Sequence, residues 1–281
     1  MAKKPAPTYQ VEPFSRLRQV VVDFQRHAHS KHTTHGLIEV DVTQARRLLR
    51  EHKARTGESL SFTAFIITCL GRAVDENKPV HAYRNWRNQL ILFDEVDVTT
   101  IIEVKRPEVL DSHSAPPSGQ ESGSFPLAHI LRTVNQRTFR DIHQEIRAIQ
   151  AQPQSSQGVQ QWGFLRWFLL LPGFVRQFSY RALFRSPHLV KKYTGTVNLT
   201  AVGMFGQGGG WAISMPNHTL GIAVGGIAER PVIVDGGVEP REYLSLTLSF
   251  DHDIVDGAPA ARFARRLKEL IESGYGLDAI G

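Results

Sequence analysis

Cysteine is almost missing from this chain: Cys69 is the only one in 281 residues. A disulfide framework within the chain is excluded, and a reducing compartment, the cytoplasm, is the expected setting. No apolar run reaches the about 20 residues a spanning helix needs. The strongest candidate, Trp162 to Val175, is broken by Arg166 and by Pro172-Gly173. Met1 to Pro7 is basic with no apolar stretch after it, so no secretory signal is read there. Acid is absent from one long segment. No Asp or Glu stands between Glu145 and Glu229, while Arg147, Arg166, Arg176, Arg181, Arg185, Lys191 and Lys192 do. The net charge of +6 is therefore local. It points to an anionic partner near that segment: a phosphorylated cofactor, a membrane surface or an acidic protein. Zinc-finger spacing, an aromatic ribonucleoprotein motif and a basic heptad helix are all missing, so nucleic acid is not an expected partner.

What is present is organised around Tyr243 to Ile271. Leu244, Leu246, Leu248 and Phe250 alternate with Tyr243, Ser245, Thr247 and Ser249, the pattern of a half-buried strand. After the turn Asp251-His252-Asp253-Ile254-Val255-Asp256-Gly257, Pro259 suits a first helical turn. Phe263, Ala264, Leu267, Leu270 and Ile271 then keep helical spacing. His252 is thus held between two regular elements, with acids on both sides. Taken alone it reads either as a turn histidine paired with an acid or as a general base, since imidazole titrates near neutral pH.

Along the chain, residues 1–14 read as a disordered tail and Ser15 to Phe24 as a helix. The four histidines of His27 to His35 lack a carboxylate or Cys at ligand spacing, so a solvated loop is expected and no metal. Leu37 to Val42 is a strand, with Thr43 placed to cap the next helix, whose inner stripe is Ala45, Leu48, Leu49 and His52. Phe62, Phe65, Ile66, Cys69, Leu70 and Ala73 mark a further helix, in which Cys69 is core rather than nucleophile. Asp94-Glu95 separates Gln89–Phe93 from Val96–Val104 as in a hairpin, residues 106–124 form a polar loop, and Phe139 to Gln150 is a helix. Residues 151–192 read as an insertion: a linker, then a basic amphipathic pair of helices packed on the domain or a subunit, with peripheral membrane contact the less favoured reading. The glycines Gly206, Gly208, Gly209 and Gly210 lack P-loop or dinucleotide spacing and suit a flexible turn.

The motif His252-x-x-x-Asp256-Gly257, with Ser249-Phe250-Asp251 before it, resembles the active-site signature of the 2-oxo acid dehydrogenase acyltransferases, Asp-His-Arg-x-x-Asp-Gly. Gly195-Thr196-Val197-Asn198-Leu199-Thr200, Glu39-Val40-Asp41-Val42-Thr43 and Arg18 resemble further stretches of that family. The resemblance covers about residues 15–275, leaving 276–281 as a C-terminal tail, and it breaks at 106–124 and 151–192. It departs at Asp253, where the family has arginine.

The resemblance implies an α/β two-layer sandwich with a mixed sheet, chloramphenicol-acetyltransferase-like. It implies acyl transfer between coenzyme A, as co-substrate, and a thiol, hydroxyl or amine. The roles it implies are His252 as general base, Thr200 as oxyanion donor, Asp256 as the residue holding the turn, and Arg18 and Gly257 as its support. A homotrimer or multiple of trimers is implied, with His252 and Thr200 meeting across subunits. No lipoyl segment is read in the chain, so a separate lipoyl or carrier protein would bring the dithiol. The rival class is a non-catalytic trimeric scaffold within a dehydrogenase-type assembly.

Overall fold

The alternation around Leu244–Phe250 builds the centre of a six-stranded sheet. The computed structural model describes residues 16–105, 124–156, 167–203 and 208–277, with Tyr9, Val11 and Phe14 before them. Most of the expected N-terminal tail and 106–123 of the expected polar loop lie outside the described residues, as do Trp162, Arg166 and Gly206. The helices are α1 (Arg16–Ala28), α2 (Thr43–Thr56), α3 (Phe62–Asp75), α4 (Phe139–Ala151), α5 (Gly173–Arg185), α6 (Pro187–Thr194) and α7 (Gly257–Glu272). The strands are β1 (Thr33–Asp41), β2 (Tyr83–Arg84), β3 (Leu90–Ile91), β4 (Val98–Lys105), β5 (Ser124–Leu131), β6 (Val197–Ala201), β7 (Leu220–Val234) and β8 (Gly237–Asp251). The large sheet runs β1-β8-β7-β6-β4-β5. It is mixed: β4, β6 and β7 are parallel, the other pairs antiparallel. This is the expected fold class.

One sheet face carries Val197, Leu199, Leu220, Ile222, Leu244, Leu246, Leu248 and Phe250, buried in a single core with Phe65, Ile66, Leu70, Ile142, Phe263 and Leu267 from the helices. Burial of each such side chain stabilises by about 1.5–3 kcal/mol. Helix α3 is buried on nearly every side because α4 and α7 both pack on it. Burial also pushes the Cys69 thiol far above its ordinary range, consistent with a core role. Strand β8 is more buried than its alternation implies. Ser245, Thr247, Ser249 and Asp251 are buried as well, since Gly210 N–H donates to Ser245 Oγ (3.3 Å) and His35 Nδ1 sits 2.8 Å from Ser249 Oγ.

Several expectations are corrected. The hairpin expected between Gln89–Phe93 and Val96–Val104 does not form. Leu90–Ile91 instead returns to Tyr83–Arg84 through a turn with Asn88 at φ 62°, and β4 pairs with β5 and β6. The polar loop ends one residue early, because Ser124 opens β5; Pro126 is accommodated there since β5 is an edge strand. Thr43 is the first residue of α2 and accepts from Glu242 N–H (2.8 Å) rather than capping the helix. The segment His27–His35 is not a loose loop: its first part closes α1 and its second is β1. The C-terminal tail starts later than Gly276, as Leu277 is buried in the core. In 151–192 the two helices are α5 and α6. Arg176 and Tyr180 dock α5 onto α1, through Asp23 (Nε–Oδ2 2.8 Å) and Phe24.

Four glycines make a close backbone crossing. A Cβ on Gly225 or Gly226, at the bulge in β7, would lie 2.1 Å from the carbonyl oxygen of Gly210 or Gly208, so the 208–210 segment is held against the sheet. Among the described residues no helix is long and apolar enough to cross a membrane.

His81 and His218 are buried where β6 begins. Their rings reach Phe93 O (3.2 Å) and Thr194 O (2.7 Å), and burial pulls both pKa values down to about 4. The unfolded chain, with histidine near 6.5, therefore binds more protons between about pH 4 and 6.5. Stability is full above about pH 6.5 and falls as the pH drops. Thermal midpoints are expected to decline through that window, and less steeply in His81→Gln; equal slopes would contradict it.

Candidate active site

The turn between β8 and α7 is pinned from both ends. Asp251 N–H donates to Thr219 O (2.9 Å), and the Asp251 carbonyl accepts from the amides of Ile254 and Val255 (both 3.0 Å). Val255 drops into the core, and Ala260 N–H donates to Asp256 O (3.1 Å) as α7 begins. Phe263 and Leu267 then anchor the helix. His252 is left exposed at the crest, its own N–H donating to His32 O (2.7 Å). Among the described residues nothing hydrogen-bonds its ring. An imidazole on a fixed backbone with a free ring can accept a proton from a bound partner.

Two features of this turn were not foreseen. Lys31 Nζ lies 2.5 Å from Asp251 Oδ2, with the two side chains only 14% and 6% exposed, so this is no solvated surface pair. The other oxygen of Asp251 accepts from Asp253 N–H (3.2 Å). The carboxylate of Asp253 turns to His32 Nδ1, at 2.9 Å, and away from the role beside His252 that its position suggests. Three of the four histidines of 27–35 go to separate partners: His27 stacks on Phe184, His32 meets Asp253 and His35 meets Ser249. Among the described residues no cluster of three or more His, Cys, Asp or Glu side chains is arranged to hold a metal.

Thr200 stands on β6, partly buried, in the cross-strand row Thr200–Ala223–Thr247. The row is displaced from His252 by the length of β8 between Thr247 and the turn, about 17 Å at ~3.4 Å per residue. One chain therefore does not bring Thr200 and His252 together. Arg18 is exposed on α1 and makes no hydrogen bond or ion pair with Asp256 among the described residues. Asp256 precedes α7 as its N-cap, exposed, with no side-chain capping bond. Gly257 is the first residue of α7, and a Cβ there would meet nothing within 4 Å.

The chain is an α/β fold with a mixed six-stranded sheet, and its histidine turn leads from the end of β8 into α7. Over 95% of this chain and 96% of the other, it is similar to a probable dihydrolipoamide acetyltransferase from Listeria monocytogenes (TM-score 0.66, 19% identity). It is equally similar to the cubic core of the pyruvate dehydrogenase multienzyme complex (TM-score 0.65, 18% identity, 100% and 99% covered). The sequence is more specific. Residues 187–277, which hold β6 through α7, match the family model of the 2-oxoacid dehydrogenases acyltransferase catalytic domain. Over 79 residues the chain is 39% identical to a probable dihydrolipoyllysine-residue succinyltransferase component from Schizosaccharomyces pombe, and over 83 residues 34% identical to an acetyltransferase component from Zymomonas mobilis. These stretches are 28% and 30% of this chain, and the chain spans only 18% and 19% of those relatives' lengths.

The Asp253 carboxyl sits below its ordinary range, chiefly through its hydrogen bond to His32. Carbon-detected NMR titration of His32→Ala is expected to move it up toward the usual carboxylate value. A carboxyl that stays low would show that His32 is not its partner.

Proposed function

We propose that this chain is an acyltransferase that moves an acyl group between coenzyme A and a thiol, hydroxyl or amine. The observation that carries the reading is the exposed, unpartnered His252 ring on a pinned turn, inside the stretch that matches an acyltransferase catalytic domain. His252 takes the proton of the acceptor, whose sulfur, oxygen or nitrogen attacks the thioester carbonyl. Negative charge gathers on the carbonyl oxygen, where the Thr200 hydroxyl donates. Collapse expels the coenzyme A thiolate, which recovers the proton from the imidazolium. Asp256 holds the turn, its carbonyl engaged by Ala260 N–H. The catalytic unit is residues 15–277 in this reading.

The separation of Thr200 from His252 within one chain supports a homotrimer with sites at subunit interfaces. A lipoyl-bearing or other carrier protein is the proposed source of the acceptor dithiol, and the cytoplasm the proposed compartment. His252→Ala is expected to lower transfer from acetyl-CoA to dihydrolipoamide by about 10²-fold or more. Equal turnover by variant and parent would leave the scaffold reading in its place.

The outer face of α5 and the turn before it expose Trp167, Leu170, Phe174 and Phe178 by 62%, 66%, 77% and 74%. Apolar area of this extent calls for a cover, and our proposal is a neighbouring subunit. Phe174→Glu combined with Phe178→Glu is expected to dissociate the assembly in sedimentation velocity. An intact assembly that loses binding to anionic vesicles would assign the face to a lipid surface instead.

A further inference from the structure

We infer that Lys31 is a positioning residue for His252, acting through Asp251; the inference rests on the proposed acyl-transfer role of His252. The family signature places an arginine after the histidine, and this chain has Asp253 there. Asp253 is committed to His32, and among the described residues Arg18 makes no hydrogen bond or ion pair with Asp256. Neither of the cations that the sequence pointed to, an arginine after His252 or Arg18, secures the turn in this chain. The cation that does so comes from the junction of α1 and β1.

Lys31 and His32 grip the turn at two consecutive residues. The Lys31 ammonium holds the Asp251 carboxylate at 2.5 Å, and the next carbonyl, His32 O, takes the N–H of His252 at 2.7 Å. The second Asp251 oxygen takes the amide of Asp253. A single buried carboxylate thus ties the residues before and after His252 to the lysine. Because the pair is nearly withdrawn from water, the carboxylate cannot trade Lys31 for solvent without moving, which fixes the direction in which the turn points.

The backbone at Lys31 is tied into the end of α1. Its N–H donates to Ala28 O (3.1 Å), and Ser30 Oγ–H donates to His27 O (2.7 Å), closing the last turn of α1. That end of α1 is braced by α5: the His27 ring stacks on Phe184 at 3.9 Å with planes 7° apart, and Phe24 packs on Tyr180 and Phe184. Further back the fully buried Asp23 carboxylate takes Arg176 Nε–H (2.8 Å) and Gln177 Nε2–H (3.1 Å). The insertion therefore has a task at the site. It holds the helix end from which Lys31 reaches the turn.

The test uses the full chain with acetyl-CoA and dihydrolipoamide as probes. Lys31→Met alone leaves Asp251 charged and buried, so Lys31→Met/Asp251→Asn, which removes both charges, is measured beside it and beside Lys31→Arg. The double variant is expected to lose about 10²-fold in kcat, the scale of an Å-level misplacement of a catalytic group, with KM within about twofold. Lys31→Arg is expected to recover at least about tenfold of that loss, which separates a charged anchor from general packing. Amide hydrogen exchange at His252 and Asp253 is expected to quicken by about tenfold or more in the double variant. A kcat within about threefold of the parent, or unchanged exchange at these two amides, overturns the inference. A parent inactive with every acyl-CoA offered would overturn the acyl-transfer reading instead, and the exchange measurement would still decide whether Lys31 holds the turn.

Discussion

A carboxylate withdrawn from water is the constraint on which this end of the molecule depends. Asp251 closes β8 at 5% exposure, and an ionised acid there is tolerable only with charge and hydrogen bonds brought to it. Its needs fix the neighbours. Lys31 must arrive at Oδ2, so α1 must stop at Ala28 and the chain must turn at once into β1. With β1 placed against β8, His32 O meets the amide of His252, and the crest of the turn is left to the imidazole alone. Exposure of His252 is thus a consequence of the burial of its neighbour.

A second constraint acts across the sheet. The glycines of the β7 bulge admit the 208–210 segment at backbone contact, and Gly210 is tied to both Gly226 and Ser245. This fixes the register of β6, β7 and β8, and register cannot slip by one residue without turning the Leu and Ile face outward. The distance between Thr200 and His252 is set by that same register. In the proposed function it is this distance that calls on a second copy of the chain.

The parts of the fold legible in the sequence are those where one local signal suffices. The alternation of β8, the spacing of α3 and α7, and the motif around His252 each stand within a few turns of chain, and each element is found. What escaped reading depends on distant partners. Pro126 argues against a strand until β5 is known to be an edge. The hairpin at Asp94-Glu95 fails because β3 finds β2 and β4 finds β5 and β6, choices made by sheet neighbours far away in sequence. His29, His32 and His35 are exposed, as expected of solvated residues, but the partners of His27, His32 and His35, namely Phe184, Asp253 and Ser249, lie about 150 to 220 residues away and could not be read. At the site, His252 and its turn were legible, Lys31 was not: a lone lysine among polar residues carries no signal until β1 lies beside β8.

The acid-free segment takes on a narrower meaning once its cations are followed. Arg176 is buried against Asp23, Lys191 pairs with Glu95, and Arg147 donates to Ser59 O and Gln150. These charges belong to the fold, engaged by acids or a carbonyl from outside the segment and, for Arg147, also by Gln150 within it. Arg181 and Arg185 differ, being exposed on α5 with no acidic partner among the described residues. They follow Phe174 and Phe178 at helical spacing along one stripe, so the outer face of α5 is apolar at its start and cationic at its end. Phe178 and Arg181 also line one groove of about 590 Å³. A cover for this stripe must offer apolar and anionic surface in that order along one line. The requirement favours an ordered protein surface, which can fix such a sequence, and it makes the arginines determinants of orientation more than of bulk attraction.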